Sequence, residues 1–117
     1  MSHRIGILTG ACAAALIALA LPAHTAQPGG IEQAVEELGQ LNGLALACRQ
    51  GALTARVREL LIEVAPKERA IGEHFERATQ EAYLEIGRSG GECPDGRTLA
   101  AQIDAAREAL LHAVRQP

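Results

Sequence analysis

From Ile31 to Val114 the apolar residues recur at intervals of three and four, and nowhere do they alternate with polar ones. That period belongs to helices with one buried stripe, and it leaves no place for a half-buried strand. The first stripe is Ile31, Ala34, Val35, Leu38, Leu41, Ala45 and Cys48. Glu32, Glu36 and Glu37 sit near its start, where the helix dipole favours negative charge. Arg49 supplies a basic last turn, and Gly51 is a suitable residue to follow it. The spacing therefore predicts a helix over 31–49. Gly39 and Gly43 inside it each cost about 1 kcal/mol relative to Ala. Four residues apart, they open a groove on one side, fit for close packing of a neighbouring helix or for a docking partner.

Leu53, Val57, Leu60, Leu61 and Val64 continue the period on a second helix, predicted over 52–65. Pro66 cannot sit in a helix interior without a kink, and it disfavours helix at Ala65. It is tolerated as the first residue of a new helix, so the chain should break there. An unbroken helix over 52–86 would be roughly 50 Å long, too long to pack inside so small a domain. The third helix is predicted over 67–86, with Ile71, His74, Phe75, Ala78, Ala82 and Ile86 turned inward. Its outer face carries Glu73, Arg77, Glu81 and Glu85, with Glu73 and Arg77 spaced as an ion pair. The run Gly87 to Gly96 reads as a loop, and Asp95 as the N-cap of a last helix over 96–115. Leu99, Ile103, Ala106, Leu110 and Val114 form the stripe of that helix. Four amphipathic helices with short connections imply an all-α fold, either a small four-helix bundle or an orthogonal four-helix domain.

Ahead of these helices lies a different kind of segment. Met1-Ser2-His3-Arg4 is basic, Ile5 to Ala23 is apolar and uncharged, and Pro22 with small residues at Ala23, Thr25 and Ala26 closes the run. Those features describe a cleaved secretory signal peptide over 1–26, with the cut between Ala23 and Ala26. An uncleaved anchor is the competing reading, weakened by Gly6, Gly10 and Pro22. Cys12 lies in mid-run rather than at a lipoprotein cut and leaves with the signal. The single domain expected over 27–117 would then work outside the cytoplasm. Ten arginines beside one lysine, Lys67, fit a GC-rich bacterial coding bias, which makes that compartment the periplasm.

Export changes how the two remaining cysteines read. Cys48 and Cys93 are an even pair in an oxidising compartment, and only one intramolecular disulfide is open to them. Closing so long a loop removes roughly 4 kcal/mol of unfolded-state entropy in the chain-entropy account. That matters because the core is thin. After the leader there is no Trp and no Met, one Phe (Phe75) and one Tyr (Tyr83), so packing rests on Leu, Ile, Val and Ala. A bridge would pin the start of the last helix to the end of the first.

The chemistry is sparse. Loss of Arg4 leaves ten basic against fourteen acidic residues, and the two signs are interspersed. Neither a basic footprint nor stacking aromatics point to nucleic acid. Ser89 is the only serine after the leader and lies in the glycine loop, which has no Lys or Thr placed to cradle a phosphate. No C-x-x-C-H haem attachment site and no paired cysteine or histidine metal motif is present. His74 falls on an apolar stripe beside Phe75, as a satisfied core or boundary residue, a pH sensor, or a metal or haem ligand. His112 and Asp104 read as surface residues.

The chain is therefore expected to be non-enzymatic and without cofactor or bound metal. The leading expectation is a periplasmic accessory protein that binds another periplasmic protein. It would neither bind nucleic acid nor insert stably in a membrane once its signal is cut. Two alternatives stand beside this. In size, helix count and the single long-range Cys48–Cys93 bridge, the chain is similar in build to the acid-stress chaperones of the HdeA type. That resemblance, one of build rather than of motif, implies a stress-responsive chaperone. A metal or small-ligand carrier using His74 is the other.

Overall fold

The computed structural model describes residues 30–116, so the expected signal peptide, its cleavage site and Cys12 lie outside the described residues. Four helices follow in order: α1 (Gly30–Ala47), α2 (Gly51–Val64), α3 (Arg69–Ser89) and α4 (Gly96–Arg115). There is no strand among the described residues. The all-α helical bundle expected from the periodicity is the observed fold.

The helix ends are set by local chemistry, and the close of α1 and both ends of α3 differ from the sequence expectation. α1 ends at Ala47, and the residue in left-handed conformation after it is Arg49 (φ 57°), not a glycine. The Gln50 amide donates to the Ala45 carbonyl at 2.8 Å and the Arg49 amide to the Leu46 carbonyl at 3.2 Å. This is the double backbone closure of a Schellman motif, built on an arginine. Gly51, expected to serve there, instead begins α2. Another difference is at Pro66. The proline does not open the next helix. Pro66, Lys67 and Glu68 form a non-helical link, and α3 starts at Arg69 after Glu68 in β conformation.

α3 also runs three residues further than expected, through Gly87, Arg88 and Ser89. Ser89 Oγ donates back to the Glu85 carbonyl at 2.8 Å and accepts from the Gly91 amide at 3.2 Å. Gly90, at φ 63°, then turns the chain out of the helix. α4 begins as expected, with the Asp95 carboxylate accepting from the Thr98 amide at 2.8 Å.

The core is the intersection of the four stripes. Val35, Leu38, Ala45, Val57, Leu99, Ile103 and Leu110 are wholly buried, and Ile71 and Phe75 add the α3 contribution. No helix among the described residues is long and apolar enough to cross a membrane.

α1 is the hub. α2 and α4 approach α1 and each other, whereas the backbone of α3 approaches α1 alone. Gly39 meets Phe75 and Ala78, and Gly43 meets Thr79 and Ala82, so α1 and α3 run parallel. Gln50 lies near Gly96, and Arg56 on α2 pairs with Asp104 on α4, so those two helices also run parallel. The bridge joins the end of α1 to the start of α4, while Glu37 and Gln40 share a cleft with Gln102 and Ala105 further along, so α4 runs against α1. The result is an up-down-up-down bundle in which one pair, α1 and α3, has moved together at the expense of the contacts α3 would make with α2 and α4. The Cys48–Cys93 disulfide spans 45 positions, with its Cα atoms 5.6 Å apart.

Candidate functional site

Gly39 and Gly43 explain why α3 leaves its neighbours. A Cβ at Gly43 would overlap the Thr79 carbonyl oxygen and lie 2.8 Å from the Ala82 Cβ. At Gly39 it would lie 2.7 Å from the Phe75 carbonyl oxygen and 2.8 Å from the Ala78 Cβ. Such distances are below any normal carbon contact, so only glycine lets α3 sit this close. The groove opened by the two glycines is filled by the chain's own third helix. Of the two readings of the glycine spacing, close packing of a neighbouring helix is the one the fold adopts, and the docking alternative at Gly39 and Gly43 is corrected.

Within this seam Asn42 is buried at 2 % exposure and Thr79 at 8 %. The Asn42 amide nitrogen donates to Thr79 Oγ1 at 3.2 Å, and Asn42 Oδ1 has no protein partner among the described residues.

Because α3 hugs α1, it does not close against α2. Between them lies an open groove of about 1060 Å³. Leu46 from α1 and Leu61 from α2 form one side. The other is a row of α3 residues at helical spacing: Arg69, Gly72, Glu73, Glu76, Arg77, Thr79, Gln80 and Tyr83. Leu46 is 45 % exposed and Tyr83 50 %, so the groove places two large apolar groups in contact with water. Its charged edge carries both signs. The Arg69 guanidinium pairs with Glu73 at 3.3 Å, one turn on. That displaces the Glu73–Arg77 pair expected from the sequence, and Arg77 instead leans toward His74, Nη2 to Nδ1 at 3.4 Å.

A second, smaller cleft of about 450 Å³ lies on the other flank of α3, lined by Gln40, Leu44, Glu81, Ala82, Glu85, Ile86 and Arg88.

His74 is half-buried at the edge of the α3 stripe rather than inside the core. Its polar neighbour is the Arg77 cation, and no group of three or more His, Cys, Asp or Glu is placed to hold a metal among the described residues. His112 is exposed in the last turn of α4, with Gln116 beside it at 3.5 Å. Asp104 is tied to Arg56 across the α2–α4 seam. The Asp95 carboxyl is held below its ordinary value by the hydrogen bonds it accepts from Thr98.

The sequence reading missed Asn42, Thr79 and the row Gly72–Glu76–Gln80–Tyr83. A signal for Asn42 was present, since it lies on the same helix face as Gly39 and Gly43. Tyr83 could have been found by asking which α3 residues share a face but not the core stripe.

The chain matches no known family model, no characterised protein and no solved structure at a significant level.

Proposed function

We propose that this is a small exported, non-enzymatic accessory protein of the periplasm that binds another protein through the groove between α2 and α3. The observation that carries the reading is the gap itself. Two large apolar side chains, Leu46 and Tyr83, face water across a trough flanked by two helices whose backbones do not meet. A trough of this shape suits an amphipathic helix, whose apolar stripe would cover Leu46, Leu61 and Tyr83 in the place of a fourth bundle neighbour. Its flanking charges would need both signs, to answer Arg69 and Arg77 as well as Glu73 and Glu76. Tyr and Arg are also the residue types that dominate binding energy at such contacts. The signal-peptide features of residues 1–26 and the paired Cys48 and Cys93 support the periplasmic assignment.

The test is site-specific photo-crosslinking in the cell that makes the protein. A crosslinking residue at position 46 or 83 should give one discrete adduct with a foreign protein, absent when it stands at Arg107 on the far side of α4. Introducing Leu46→Asp in the position-83 probe should abolish that adduct. Equal labelling from all three positions, or no adduct from the groove, would overturn the reading.

A further inference from the structure

We draw no further inference here: the strongest candidate, the open groove between α2 and α3 along which Leu46 and Tyr83 stand exposed, belongs to the docking site already described, and nothing in the structure shows what covers it.

Discussion

Asn42 and Thr79 are the one buried side-chain hydrogen bond between α1 and α3 among the described residues, 3.2 Å long and set beside the close approach of α3 to Gly39 and Gly43. The Asn42 amide has a donor satisfied by Thr79 and an oxygen without a partner. Removing only the hydroxyl leaves a buried amide wholly unpaired. Thr79→Val should therefore destabilise the protein by about 1–3 kcal/mol, whereas replacing both partners by apolar groups of similar shape should come back close to wild type. Urea titration of Thr79→Val, Asn42→Leu and the double variant measures this. A double variant as unstable as the sum of the two singles would show that the pair is not coupled.

The glycines on α1 and α3 should respond oppositely to the same substitution. A methyl at Gly43 drives into the Thr79 carbonyl, and α3 has to move away as a body. Gly43→Ala should lose about 1–3 kcal/mol by overpacking. Gly87 is helical with open space where a Cβ would stand, so Gly87→Ala should gain up to about 1 kcal/mol from helix propensity. Thermal unfolding of both separates a packing requirement from an incidental glycine, and equal responses would contradict the seam.

How much of this was legible in the sequence follows from what each feature depends on. Helix number and the inward faces came from period alone, because Leu38, Val57, Phe75 and Leu110 are buried wherever their helices are placed. The α4 cap was legible because Asp95 acts on its own next turn. Arg49 was not, since the φ of a non-glycine residue is imposed by the turn that joins two packed helices. The groove was not legible either. It exists because Gly39 and Gly43 draw α3 onto α1, and the sequence shows two small residues without showing which helix comes to them. His74 lies at the boundary, as one of its readings had it, and the cause is the same packing. Its position on the stripe of α3 is periodic, but the face that α1 covers is narrower than the stripe.

The disulfide ties the end of the hub helix to the start of α4 across 45 positions. It closes the loop containing α2 and α3 and so restricts the unfolded chain over that whole span. In the chain-entropy account its loss costs roughly 4 kcal/mol. For a domain of this size, that corresponds to a fall in Tm of about 15–30 °C. The Cys48→Ser/Cys93→Ser variant and the reduced wild type should melt together at the lower temperature. An unchanged Tm would mean that helix packing alone carries the fold.

Asp95 gives α4 a pH dependence of known sign. Its folded pKa lies below the ordinary 3.8 because the carboxylate accepts hydrogen bonds from Thr98. A carboxyl depressed on folding stabilises the folded state fully above its unfolded value, and that contribution disappears as pH falls through the folded one. Between neutral pH and about pH 5 the cap should therefore be constant. Below 3.8 it should fade as the carboxylate takes up a proton and the Thr98 amide loses its acceptor. Asp95→Asn keeps a capping oxygen but has no proton to gain. The difference in Tm between wild type and Asp95→Asn should be level above about pH 5 and shift against the wild type on acidification. Hydrogen exchange at the Thr98 and Leu99 amides reads the same event locally, since both lie in the first turn of α4. If those amides exchange no faster in acid than at neutral pH, after correction for intrinsic rates, the Asp95 cap does not hold the start of the helix.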